Sequence, residues 1–195
     1  MGKGGSKLSQ QEIERYTSTL NFSKEELSNW YRLFNKDCPS GYVTKEEFVS
    51  IYRSSYPLGN AAQFAEYVFS LFDQNNDNKL DFEEFMTVLS ITAKGTIEDK
   101  LRWSFRLYDL DNDGFINREE MLKIVTAIYD MIGNQILFAP ENFTPDTRVE
   151  HIFSKMDGDH DGKISWDDFK TAAEKDDDIL QLLELPPLSS GSKNR

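Results

Sequence analysis

Three twelve-residue segments repeat one arrangement of oxygen-bearing side chains, and nothing else in the chain limits the possible folds as much. They run Asp73–Glu84, Asp109–Glu120 and Asp157–Asp168. Each carries side-chain oxygens at positions 1, 3, 5 and 9 and a carboxylate at position 12. Alternate residues of a tight loop converge on one point, which suits Ca²⁺, a hard cation that takes six to eight oxygens in a flexible shell. The candidate ligands are Asp73, Asn75, Asp77, Asp81 and Glu84; Asp109, Asp111, Asp113, Asn117 and Glu120; and Asp157, Asp159, Asp161, Ser165 and Asp168. Lys79, Phe115 and Lys163 offer position-7 backbone carbonyls. Position 6 must turn sharply, and it holds Asn78, Gly114 and Gly162, residues that tolerate a left-handed backbone. Position 8 is apolar (Leu80, Ile116, Ile164), as expected where paired loops join in a short strand.

A fourth copy is damaged. Lys36–Glu47 keeps Gly41 at position 6, Val43 at position 8 and Glu47 at position 12. Lys36 stands where the first carboxylate belongs, and Cys38-Pro39 constrain the next steps, so this loop is expected not to bind. The loops start at 36, 73, 109 and 157, and the wider last interval holds an insertion around Gly133 to Asp146. The expected fold is all-α: four EF-hand helix–loop–helix units in two paired lobes, with short antiparallel strand pairs between loops. The division is an N-terminal arm and helix (1–22), a first pair (23–93), a second pair (94–175) and a tail (176–195).

Ser9-Gln10-Gln11-Glu12, Ser23-Lys24-Glu25-Glu26 and Thr44-Lys45-Glu46-Glu47 each read as a capping box that starts a helix. Pro145 suits a first helical position. Further helical periodicity covers about 61–72, 82–92, 98–108, 118–132 and 167–174. Gly95 separates the second unit from the third, as a helix stop, a swivel, or both.

The net charge of −12 argues against a nucleic-acid partner, because no basic stripe is present. Much of that acidity lies in the loops, where bound divalent cations would relieve it. Cys38 has no partner for an internal disulfide, and two His are too few for a zinc site, which fits a reducing compartment. No secretory signal is visible, and no apolar run approaches the ~20 residues of a membrane span. The acidic clusters are committed to metal, neither His sits beside a nucleophile and no glycine-rich phosphate loop occurs, so a catalytic role is not expected.

Met1-Gly2-Lys3-Gly4-Gly5-Ser6 satisfies the pattern for N-myristoylation of Gly2. The alternative is a small-residue terminus that matches by accident. One myristoyl chain gives only reversible membrane affinity, about 10⁴ M⁻¹. The expected location is cytoplasmic and reversibly membrane-associated.

Several stretches together carry a resemblance: Met1-Gly2 through Ser6, Trp30-Tyr31 ahead of Phe34, Lys36-Asp37-Cys38-Pro39-Ser40-Gly41, Phe72-Asp73, Lys94-Gly95-Thr96 and Tyr108-Asp109. Over roughly residues 1 to 175 the chain resembles the neuronal calcium sensors, the family of recoverin, visinin-like proteins and frequenin, and is most similar to the frequenin branch. The Cys-Pro first loop is the most specific mark. The resemblance implies a Ca²⁺ sensor whose helix pairs open an apolar groove, mostly in the N-terminal half, for a target-protein helix. It also implies membrane attachment through myristate, with a phosphatidylinositol 4-kinase or another membrane signalling protein as target. Matching groove positions are Trp30, Phe34, Phe48, Ile51, Tyr52, Phe64, Phe82, Phe85 and Leu89. The same side chains at helical spacing equally serve as ordinary core, and sensor EF-hands use them both ways. Ser55 stands where the family often has an aromatic, which changes the groove edge.

Asp168 at position 12 is one methylene shorter than Glu84 and Glu120. Up to three Ca²⁺ are expected, with the last loop weaker or occupied by Mg²⁺ at rest; the alternative is that all three fill together. In the tail, Ile179-Leu180, Leu182-Leu183 and Leu185 precede Pro186-Pro187, so a short amphipathic helix could lie in the groove or cap the last unit. Two other functions use the same loops: a Ca²⁺ buffer, or a constitutive regulatory subunit such as calcineurin B. The Gly2 pattern and the aromatic N-terminal half count against the first, and the disabled first loop against the second.

Overall fold

The computed structural model describes residues 7–133 and 144–175. The Met1–Ser6 pattern, most of the insertion after Gly133 and the tail from residue 176 lie outside the described residues. The elements are α1 (Gln10–Thr19), α2 (Lys24–Asp37), β1 (Tyr42–Thr44), α3 (Lys45–Ser55), α4 (Ala62–Phe72), β2 (Lys79–Asp81), α5 (Phe82–Lys94), α6 (Ile97–Tyr108), β3 (Phe115–Asn117), α7 (Arg118–Ile132), α8 (Pro145–Met156), β4 (Lys163–Ser165) and α9 (Trp166–Lys175).

Local sequence explains the helix starts. Ser9, Ser23 and Thr44 accept from the amides of Glu12, Glu26 and Glu47, and those glutamates reach back to the cap amides. The same reciprocal box recurs at Asp81, Thr96 and Asn117. Each satisfies amides that a helix leaves without partners, worth about 1 kcal/mol per cap. Thr144 caps α8 with Pro145 in the first turn. Gly95 ends α5 by donating its amide to Ile91 O at 3.0 Å, so the stop is realised.

The loops pair as their apolar eighth positions require. Strands β1 and β2 are antiparallel with Val43 opposite Leu80, and β3 and β4 with Ile116 opposite Ile164. The result is two EF-hand pairs, one lobe each.

The apolar interiors do not divide so cleanly. One core holds α3 and α4 of the first pair together with α6 to α9, through Phe48, Phe64, Phe69, Phe105, Tyr108, Met131 and Phe153. The other joins α1, α2 and α5 through Tyr16, Leu27, Phe34, Phe82 and Met86. Polar ties pin the arm helix to the second core. Arg15 pairs with Glu83 at 2.7 Å, and the Ser90 hydroxyl donates to Leu20 O at 2.7 Å. The Lys94 ammonium donates to Glu26 at 2.8 Å and to Asn21 O at 3.1 Å, and lies over the Phe22 ring. That lysine, with the Ser23 cap, holds the Glu26 carboxyl down to about 2.

Candidate calcium loops

Each of the three intact loops begins where a helix stops: Asp73, Asp109 and Asp157 are the C-caps of α4, α6 and α8. The chain then folds its amides onto its own carboxylates. Asp73 Oδ1 accepts from Asp77 N at 3.1 Å and Oδ2 from Asn78 N at 2.9 Å. Asp109 receives Asp113 N and Gly114 N, both at 3.1 Å, and Asp157 receives Asp161 N at 3.2 Å and Gly162 N at 3.0 Å. These bonds need a left-handed turn at position 6, and Asn78, Gly114 and Gly162 supply φ of 61°, 88° and 84°.

Position 4 is left-handed too, which the ligand pattern alone does not reveal. Asn76, Asn112 and His160 have φ of 58°, 58° and 60°. Asn, Asp and His are the non-glycine residues enriched there, so two asparagines and a histidine at this position were the available signal.

Position 12 separates the loops. Glu84 and Glu120 are buried in the first turns of α5 and α7. Glu120 Oε1 accepts from Leu110 N at 2.9 Å and Asp111 N at 3.2 Å, while Oε2 accepts from Asn117 N at 2.9 Å, so one carboxylate closes the loop from both ends. Glu84 does the same with Gln74 N, Asn75 N and Asp81 N. Asp168 is only half-buried and keeps to its own turn, accepting from Ser165 N at 3.1 Å and the Ser165 hydroxyl at 2.5 Å. Oxygens of Asp109, Asp111 and Glu120 lie within 4.8 Å of one another, whereas in the last loop the equivalent group is Asp157, Asp159 and Asp161, without Asp168.

The damaged loop has a different shape. Helix α2 runs on through Lys36 and Asp37, consuming the first two loop positions, and Glu47 at position 12 is exposed.

The donor set fits a divalent cation. Asp73, Glu84, Asp109, Glu120 and Asp157 are buried carboxylates. Lys163 comes within salt-bridge reach of a candidate ligand, 3.6 Å from the exposed carboxylate of Asp113. Burial pushes the Glu84 and Asp109 carboxyls above the ordinary range, against the pull of the amides that bond them. Buried negative charge without a counter-charge is costly, and an all-oxygen shell suits a hard ion.

The nine groove positions fall into both cores. Trp30, Phe34, Phe82, Phe85 and Leu89 belong to the α1–α2–α5 cluster, with Phe85 5.9 Å from Trp30 and 5.4 Å from Phe34 between ring centres. Phe48, Tyr52 and Phe64 belong to the other. Phe34, Phe48, Tyr52, Phe64 and Phe82 are buried, Trp30, Phe85 and Leu89 half-buried, and Ile51 is 51% exposed. The structure therefore brings five of the nine together and places Ile51 at the surface. Ser55 turns its hydroxyl onto Ile51 O at 3.0 Å.

Two matches to the EF-hand domain pair, over residues 39–92 and 98–174, fall one in each lobe. Over 185 residues the chain is 43% identical to neuronal calcium sensor 1 of Lymnaea stagnalis, covering 95% of this chain and 97% of the relative. It is 45% identical to neuronal calcium sensor 1 of Aplysia californica over the same shares. The chain belongs to the neuronal calcium sensor family. Its acidic loops are those of a Ca²⁺-binding sensor, and the family is one of regulators, not enzymes. Among the described residues no helix is long and apolar enough to cross a membrane.

Lengthening Asp168 is the direct probe of whether the last loop is the weaker site. Asp168→Glu is expected to tighten Ca²⁺ binding at the last loop by roughly tenfold, ~1.4 kcal/mol, and to lower its Mg²⁺ preference. Calorimetric titration with and without Mg²⁺ checks this; unchanged affinity would mean that Asp168 already reaches as far as a glutamate does.

Proposed function

We propose that this neuronal calcium sensor takes up Ca²⁺ at the loops starting at Asp73, Asp109 and Asp157, exposes an apolar face of its N-terminal half, and regulates a membrane-associated target. The ligands are the oxygens at positions 1, 3, 5, 9 and 12 of each loop, with the position-7 carbonyls of Lys79, Phe115 and Lys163. Bound Ca²⁺ supplies the positive charge that the inward-turned carboxylates lack.

One observation carries the reading: Glu84, which closes the loop at Asp73, sits on α5 between Phe82 and Phe85. Drawing the Glu84 carboxylate onto an ion pulls on α5, the helix that fills the α1–α2–α5 core. The same rings are therefore covered or offered according to the position of one side chain. Trp30, Phe34, Phe85 and Leu89 are the face a target helix would meet, with Ile51 as an exposed outlier. A phosphatidylinositol 4-kinase, or another membrane signalling protein, is the target class the family likeness suggests.

Membrane attachment runs through myristate on Gly2. With a lipid that holds only weakly on its own, attachment is reversible by design. In cells co-expressing an N-myristoyltransferase, Gly2→Ala is expected to remove label from radioactive myristate and shift the protein from the membrane pellet to the supernatant. Unchanged labelling and partition would sink the anchor. A buffer role is the second reading, because the loops alone would serve it; the absence of new apolar surface on Ca²⁺ uptake would favour it.

A further inference from the structure

The loops at Asp73 and Asp109 belong to different pairs, and no strand joins them: β1–β2 ties the loop at Asp73 to the damaged one, and β3–β4 ties the loop at Asp109 to the last. A cleft of about 350 Å³ lies between them, bordered by Asp73 and Asn76 on one side and Asp109 and Asn112 on the other. A connection exists at the opposite ends of their helices. The segment between α3 and α4 lies against the C-terminal end of α7, where Asn60 N donates to Asp130 O at 2.7 Å. The approach is so close that a Cβ on Gly59 would stand 2.1 Å from Met131 O and 2.4 Å from Asp130 O. From the other side, a Cβ on Gly133, at φ +59°, would stand 2.5 Å from Leu58 O. Two backbones therefore interlock, each through a glycine that no larger residue can replace without moving the contact.

We propose that this interlock is a latch that couples the two candidate calcium loops, so that occupancy of either alters affinity at the other. The path is continuous. Glu120 lies in the first turn of α7, and Asp130 and Met131 lie in its last. Asn60 receives that end through its amide, and its Oδ1 accepts from Ala62 N at 3.3 Å, standing in for the side-chain cap that α4 otherwise lacks. Helix α4 then runs directly into Asp73, the first position of the other loop. Helices α4 and α7 also pack against each other and share one core, so they move as packed bodies and not as independent rods. A shift of the Glu120 carboxylate reaches Asp73 through two rigid helices and one backbone joint, and the coupling is reciprocal.

The latch rests on both loops being Ca²⁺ sites, and the test separates the two claims. Asn78 N bonds Asp73 and Gly114 N bonds Asp109, so their NMR signals report each loop by itself. Four full-length proteins are titrated with Ca²⁺: parent, Glu120→Gln, Gly59→Ala and the double variant. In the parent background Glu120→Gln is expected to move the Asn78 midpoint by roughly fivefold or more. In the Gly59→Ala background the same substitution is expected to move it less than about twofold. An equal shift in both backgrounds, or none in either, overturns the latch while leaving both sites intact. Amides that ignore Ca²⁺ in the parent would overturn the site reading itself, and the latch with it. Should Gly59→Ala fail to fold, hydrogen exchange decides instead. With the loop at Asp73 disabled by Glu84→Gln, Ca²⁺ at the other loop should change exchange of the Asn60 amide by roughly fivefold or more; unchanged exchange overturns the latch.

Discussion

Glu120→Gln is expected to weaken Ca²⁺ binding at the loop starting at Asp109 by at least roughly 100-fold, ~3 kcal/mol, and to remove one ion from the stoichiometry at micromolar Ca²⁺. The carboxylate is buried, and it spans the loop by accepting from Leu110 and Asp111 at one end and Asn117 at the other. Glutamine nearly preserves the shape but forfeits one acceptor oxygen and the charge. The buried Asp109 then faces the ion with one carboxylate fewer beside it. Glu84→Gln should act alike at the loop starting at Asp73, where the same three-amide grip is drawn. Asp168→Asn should cost less, because Asp168 is half-buried and bonded within its own turn. Calorimetric titration of the three variants checks the ranking. Equal losses at all three positions would contradict the distinction between the first two loops and the last.

The second large effect is thermal. A ligand that binds only the folded chain at a hundred times its Kd adds ~2.7 kcal/mol per site. Two sites add about 5 kcal/mol, and in a chain of 195 residues each kcal/mol moves the midpoint by roughly 2–4 °C. Ca²⁺ is therefore expected to raise the melting midpoint by roughly 10–20 °C over the chelated protein. The physical source is the set of carboxylates that folding buries without a counter-charge. A shift below about 3 °C, by scanning calorimetry with and without chelator, would mean that these carboxylates do not hold the ion.

Much of this molecule is legible in the chain because its repeating unit is short and its chemistry local. Ligand spacing, the left-handed sixth position and the apolar eighth position are all set within twelve residues. The structure returns them as turns at Asn78, Gly114 and Gly162 and as the Val43–Leu80 and Ile116–Ile164 pairs. Capping boxes are equally local, and Ser9, Ser23 and Thr44 start their helices as written. The left-handed fourth position leaves no mark in the ligand spacing because it contributes no ligand. What spacing cannot supply is how separate units meet. Phe48 and Phe64 read as partners of Trp30 and Phe34, yet they pack with the second lobe. Nothing in the chain marks Leu58, Gly59 and Asn60, and only packing reveals that they lie against Asp130, Met131 and Gly133. Contacts of this kind depend on residues some 70 positions apart, and no local pattern encodes them.

The most direct test of the central claim is a Ca²⁺ titration of the full-length protein with an apolar-surface dye, in millimolar Mg²⁺ and with an unmyristoylated control. The account predicts a large rise in dye fluorescence over ~10⁻⁷ to 10⁻⁵ M free Ca²⁺, with two or three ions bound. Tight Ca²⁺ uptake with flat fluorescence would contradict it and leave a protein that stores the ion without reporting it.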